Sequence, residues 1–145
     1  MAQTIRAAKH SEFYSLGLVL GYDYAGSPIV WTEERPAAAT SVSSLTTSAR
    51  AGARLPHAWL GEQESLYDLL GPEFSIVTFG APADAFQRAA DRCGVPLVAV
   101  DLGARRDLRG RYGADLLLVR PDQHVAWRGD DSAHADEILA RALGH

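Results

Sequence analysis

Apolar positions along the chain change period several times, and each change marks an element. Phe74-Ser75-Ile76-Val77-Thr78-Phe79 is a short run of the kind that fills a buried strand. After Gly80-Ala81-Pro82 the spacing lengthens: Phe86, Ala89, Ala90 and Cys93 fall at i, i+3, i+4 and i+7, one face of a helix over residues 83–93. Gly94 stops that helix. Val95-Pro96-Leu97-Val98-Ala99-Val100-Asp101 then lies where a right-handed crossover returns it beside the first strand, which predicts a βαβ unit. Leu116–Arg120 and His124–Arg128 are two more strands, and the Pro121-Asp122-Gln123 connection is short enough to force antiparallel pairing. In the second of them Trp127 alternates with Ala126 and shares a face with Val125. A helix beginning near Asp131 or Ser132, either able to cap it, places Ala135, Ile138, Leu139 and Ala142 on one stripe and completes a ββα unit.

Upstream, Pro56–Leu60 reads as a short strand and Ser65–Gly71 as a turn of helix closed by glycine. His10–Leu20 reads as a helix carrying Phe13, Leu16 and Leu20, and Tyr22–Trp31 as an extended strand. Residues 33–53 are rich in Ala, Ser, Thr and Pro with almost no large apolar side chain, the texture of a linker or surface loop. The expected fold is α/β and thioredoxin-like: βαβ plus ββα around one mixed sheet with a helix packed on each side. An N-terminal extension over residues 1–51 precedes the domain, which occupies residues 52–145, and its apolar residues can belong to a different body.

A length of 145 residues suits one core plus an appendage. Apolar residues at 47% and charged residues at 22% are ordinary globular values. No run approaches the roughly 20 apolar residues of a bilayer span, and the N-terminus lacks a signal-peptide core, so the expectation is a cytoplasmic chain with no membrane partner. The net charge of −4 points away from nucleic acid.

The single cysteine, Cys93, rules out a disulfide, a CxxC pair or a cysteine-rich metal site within one chain. Thiol chemistry on a thioredoxin-like frame needs a thiolate at the N-terminus of the first helix, where N–H groups and the helix dipole lower its pKa. Here that place holds Gly80-Ala81-Pro82-Ala83, while Cys93 is expected at the far end of the helix, buried on its apolar face. Gly113-Ala114 stands where redox thioredoxins keep a cis-proline. His57, His124 and His134 share no metal-ligand spacing. No Gly-x-Ser-x-Gly elbow marks a nucleophile. The basic run Arg105-Arg106-Asp107-Leu108-Arg109-Gly110-Arg111 is expected to be a solvated loop. Trp59, Trp127 and Tyr112 are either exposed docking anchors or core residues.

Three strings carry more than their elements require: Gly52-Ala53-Arg54-Leu55-Pro56-His57-Ala58-Trp59-Leu60, Ser65-Leu66-Tyr67-Asp68-Leu69-Leu70-Gly71, and Tyr112-Gly113-Ala114-Asp115 running through Leu118-Val119-Arg120-Pro121-Asp122 to His124-Val125-Ala126-Trp127-Arg128-Gly129. Together they resemble the C-terminal domain of the class A FAD-dependent aromatic hydroxylases, the family of phenol hydroxylase, para-hydroxybenzoate hydroxylase and the polyketide hydroxylases. Upstream, Leu16-Gly17-Leu18, Leu20-Gly21-Tyr22, Tyr24 and Ser27-Pro28-Ile29-Val30 resemble the stretch where such enzymes leave their flavin and substrate body. The resemblance implies NAD(P)H-driven ring hydroxylation by the full-length family, with FAD and the reacting groups held upstream of Leu16. For this chain it implies a non-catalytic domain that binds no cofactor or metal itself. Its partner would be a hydroxylase flavin and substrate domain, or a second copy of itself in a dimer. Arg54, Pro56, His57, Trp59, Asp68, Gly71, Tyr112, Asp115, Arg120, Pro121, Asp122, Trp127 and Arg128 are the family-motif and candidate interface positions. Gly129-Asp130-Asp131-Ser132-Ala133-His134 is similar to the family's Gly-Asp-Ala-Ala-His flavin contact, but an extra aspartate breaks the spacing and a helix cap explains it better. The competing expectation is a stand-alone oxidoreductase, thiol-based through Cys93 or accessory to a separate flavin hydroxylase.

Overall fold

The computed structural model describes residues 23, 24, 26–31 and 49–145. The elements run α1 (Leu66–Leu69), β1 (Phe74–Thr78), α2 (Asp84–Cys93), β2 (Leu97–Asp101), α3 (Arg106–Tyr112), β3 (Leu116–Val119), β4 (Val125–Gly129) and α4 (Ala135–Ala142). The four strands form one mixed sheet in the order β2-β1-β3-β4, with β1 parallel to β2 and antiparallel to β3, and β3 antiparallel to β4. Both units expected from the periodicity are therefore present.

The central strands read as unbroken apolar runs because both faces of the sheet are covered. On one face Phe74, Ile76, Leu116 and Leu118 pack with Phe86, Ala89 and Ala90 of α2 and Ile138, Leu139 and Ala142 of α4. On the other, Val77, Leu117 and Val119 pack with Leu66, Leu108 and Tyr112. The expected helix on each side takes a different form: α2 and α4 share one face, and α3 with α1 covers the opposite one. Each fully buried Leu, Ile or Phe in these layers contributes about 1.5–3 kcal/mol of transfer free energy.

Trp127 does not share a face with Val125. Leu118 pairs with Trp127 but Val119 pairs with Val125, so Ala126 is an extra residue on β4. This bulge turns Ala126 and Trp127 together onto the α2–α4 face and leaves Val125 on the other.

The expected strand at Pro56–Leu60 is absent: only isolated bridges join Arg54 to His124 and Trp59 to Ser65. The expected helix over His10–Leu20 lies outside the described residues. Of the strand expected at Tyr22–Trp31, Asp23 makes one bridge to Ala53, and the chain then turns, Ser27 N–H donating to Tyr24 C=O at 2.8 Å and Val30 N–H to Ser27 C=O at 3.1 Å. Trp31 N–H reaches Ala126 C=O at 3.0 Å, and Val30 is buried. The end of the expected linker is also interior, with Ala49, Ala51 and Ala53 buried. Small side chains let this backbone lie against β4, where Gly52 N–H donates to Val125 C=O and Val125 N–H to Ala53 C=O, covering an edge that would otherwise be open.

Candidate functional site

Thiol chemistry of the kind considered above would need its reactive group at the junction of β1 and α2. Gly80, at φ +98°, turns the chain through Ala81 and Pro82, and Ala83 precedes α2 without a side-chain cap. Gly113, at φ +74°, and Ala114 face the start of β3. None of these side chains is a nucleophile, a base or a thiol. The same helix end is where a βαβ unit would take a pyrophosphate. Pro82 lacks an N–H, and the Asp84 carboxylate in the first turn repels an anion. These residues do not fit the FAD diphosphate.

Cys93 is exposed, contrary to the burial expected from its i+7 spacing to Phe86. The apolar stripe of α2 is covered only where the sheet and α4 oppose it. Cys93 is the last helical residue, and the Gly94 turn leaves its side chain outside. A maleimide is therefore expected to label the native chain to one equivalent without denaturant, and Cys93→Ser to leave the unfolding free energy within about 0.5 kcal/mol. Labelling that required denaturant would contradict the exposure.

The basic run is not a loop but the N-cap and body of helix α3, and two of its arginines are held in ion pairs. Leu108 and Tyr112, four apart, are buried, while Asp107 in the first turn and Arg109 and Arg111 in the last complement the helix dipole. Arg105 pairs with Asp107 at 2.9 Å and holds that carboxyl below its usual range. Arg109 pairs with Asp115 and, at 3.3 Å, with Asp130. Asp130 also accepts from the Asp115 N–H at 2.9 Å, which pins the Gly113-Ala114-Asp115 loop to the end of β4.

The family-motif residues form a network about the segment 54–71. The Tyr112 hydroxyl, fully buried, donates to Pro56 C=O at 2.6 Å, and that of Tyr67 to Leu55 C=O. Arg54 donates to Gln123 and lies 5.7 Å above the Tyr67 ring. Ser65 caps α1: its hydroxyl accepts from Tyr67 N–H and meets His57 Nε2 at 2.9 Å, while Asp68 accepts from Ser65 N–H at 2.9 Å. This is a capping box, legible in the Ser-x-x-Asp spacing but missed in the sequence reading. Gly71 is required because a Cβ there would stand 2.5 Å from Val98 Cγ2. Arg105 donates to Leu60 C=O at 3.2 Å, tying down the loop's far end. In the hairpin, Arg120 pairs with Asp122 at 2.9 Å and lies 4.8 Å over Tyr24; Asp122 also accepts from His124 N–H, and Pro121 stands exposed at the turn between them. Trp127 is buried against Phe86, with ring centroids 5.2 Å apart. Tyr112 and Trp127 are thus core residues, and Trp59, 61% exposed, is not.

Asp131 and Ser132 do not cap the last helix. Asp131 accepts from Ala133 N–H and Ser132 C=O from Ala135 N–H, building a turn ahead of α4, whose cap position is His134. Beside that turn lies an open groove of about 410 Å³ whose walls include Trp31, Trp127, Arg128, Asp130, His134 and Ile138. Among the described residues no helix is long and apolar enough to cross a membrane.

Fold and network together define a mixed-sheet α/β domain whose motif residues hold the chain in place. Residues 48–145 match the family model described as aromatic-ring hydroxylase, C-terminal. Phenol 2-monooxygenase of Pseudomonas sp. (strain EST1001) is 36% identical over 146 residues, covering 86% of this chain and 24% of that protein. Aklavinone 12-hydroxylase RdmE of Streptomyces purpurascens is 35% identical over 129 residues, covering 79% and 24%. Among solved structures, native and K252c-bound RebC-10x superimposes with a TM-score of 0.82 at 36% identity, over 99% of this chain and 27% of that one. The flavin-dependent monooxygenase PieE, in complex with FAD and substrate, does so with a TM-score of 0.76 at 28% identity, over 98% and 28%. The chain belongs to the aromatic-ring hydroxylase family and matches its C-terminal domain. It spans about a quarter of the length of these relatives.

Proposed function

We propose that the chain acts as the non-catalytic, thioredoxin-like C-terminal domain of an FAD-dependent aromatic-ring monooxygenase, contributing packing or dimer contacts while the flavin and substrate body holds FAD and NAD(P)H. The observation that carries this reading is the β1–α2 junction, where glycine, alanine and proline occupy the reactive position. Titrating the purified chain with FAD is expected to leave flavin fluorescence unchanged, and adding NAD(P)H and a phenol to give no oxidation above the buffer rate. NAD(P)H oxidation at an enzyme-like turnover would overturn the reading.

The exposure of Cys93 favours a second reading, a stand-alone thiol oxidoreductase. With no second cysteine, such a protein would need an external thiol to resolve a mixed disulfide. Reduction of a small disulfide by the chain with glutathione, abolished in Cys93→Ser, would support it.

A further inference from the structure

Every residue of the string from Arg54 to Gly71 that resembles the family motif is explained by a contact inside the domain, with one exception. Arg54, Pro56, His57, Ser65, Asp68 and Gly71 each hold or are held by a neighbour. Trp59 has an edge contact with the His57 ring, centroids 4.9 Å apart, and otherwise gives its indole to solvent at 61% exposure. Among the described residues the other exposed large apolar side chain is Val98, which packs over Gly71. Trp59 is also presented rigidly. The loop carrying it is fastened at one end by the Tyr67 and Tyr112 hydroxyls and at the other by Arg105 on Leu60 C=O, so little conformational entropy remains to be lost on docking.

We infer that Trp59 and its acidic surround are the face on which this domain docks the flavin and substrate body of an aromatic-ring hydroxylase, an inference that rests on the function proposed above. Two observations select this occupant. The relatives carry about three times as much chain again beyond the part this domain matches, which supplies a body to be docked. The rim around Trp59 carries more acid than base: Glu62, Glu64, Asp68 and Asp107 are exposed against one exposed arginine, Arg106, and Arg105 is already paired with Asp107. A two-fold contact between copies would set this rim against itself, like charge on like charge. A partner offering an apolar pocket for the indole, flanked by arginine or lysine, meets both features.

The test uses a single polypeptide in which this chain replaces the C-terminal quarter of phenol 2-monooxygenase of Pseudomonas sp. (strain EST1001). The unsubstituted chimera is expected to retain FAD and to resist proteolytic release of its C-terminal domain. Trp59→Ala is expected to speed that release about tenfold or more, the scale of a lost central anchor. The Glu62→Lys, Glu64→Lys pair is expected to speed it as well, while the melting temperature of the isolated chain stays the same in every variant. Release rates unchanged by Trp59→Ala in an FAD-retaining chimera would overturn the docking face alone. A Trp59-dependent dimer of the isolated chain in sedimentation would also overturn it, in favour of a second copy. An unsubstituted chimera that holds no FAD would overturn the proposed function and the docking face with it.

Discussion

Truncating Phe86 to alanine is expected to lower the unfolding free energy of the isolated chain by about 3–5 kcal/mol, the range for deleting a buried phenylalanine. Phe86 is fully buried in the first turn of α2, packed with the sheet and α4, and its ring meets that of Trp127 at 39°. The cavity would be hard to fill by rearrangement. Trp127 pairs across the ladder with Leu118, and its ring folds over Gly129, where a Cβ would stand 2.2 Å from Trp127 Cζ2. A ring pinned in this way does not swing into the space Phe86 leaves, so the cost belongs in the upper part of the range. Domains of this size are stable by about 5–15 kcal/mol, so the change removes a large share of the total. Urea unfolding checks it: the midpoint should fall with the slope unchanged. A loss below about 1 kcal/mol would mean that α2 and α4 do not share this core.

The features legible in the sequence were those written in uninterrupted periodicity. The βαβ and ββα units, and the buried stripe of Ala135, Ile138, Leu139 and Ala142, follow from unbroken apolar runs in the strands and from residues spaced at 3.6 in the helices. What was missed depended on single-residue exceptions. One extra residue, Ala126, moves Trp127 to the opposite face, and no alternation count contains that information. Helix α3 was obscured because charge and Gly110 dominate its seven residues, although Leu108 and Tyr112 at i and i+4, followed by Gly113, were its signature. Cys93 obeyed the period and still failed, because burial depends on what stands opposite the last turn. At the candidate site, the strings were recognisable but their roles were not. The carbonyl of Pro56 is satisfied by a tyrosine 56 residues further on, a relation no local window holds.

That same tyrosine governs the stability of the chain at high pH. Burial pushes the Tyr112 phenol up from the ordinary 10 to about 12, with the Arg111 guanidinium opposing the shift. The folded domain keeps a proton that the unfolded chain releases above pH 10, so this group's contribution is complete below pH 10 and lost as pH rises toward 12. At about 1.4 kcal/mol per unit the loss amounts to roughly 2–3 kcal/mol. Tyr112→Phe removes the titration and strands the Pro56 carbonyl, which costs about 1–3 kcal/mol at neutral pH. Urea unfolding of both proteins from pH 8 to 12 should therefore show the native chain more stable at pH 8 and the two curves drawing together as pH approaches 12. Parallel curves would place the phenol in water. Because the Tyr112 hydroxyl is one of the fastenings of the segment leading to Trp59, its loss should also loosen that loop, so proteolysis at residues 57–64 should quicken in Tyr112→Phe near neutral pH, where the native phenol keeps its proton.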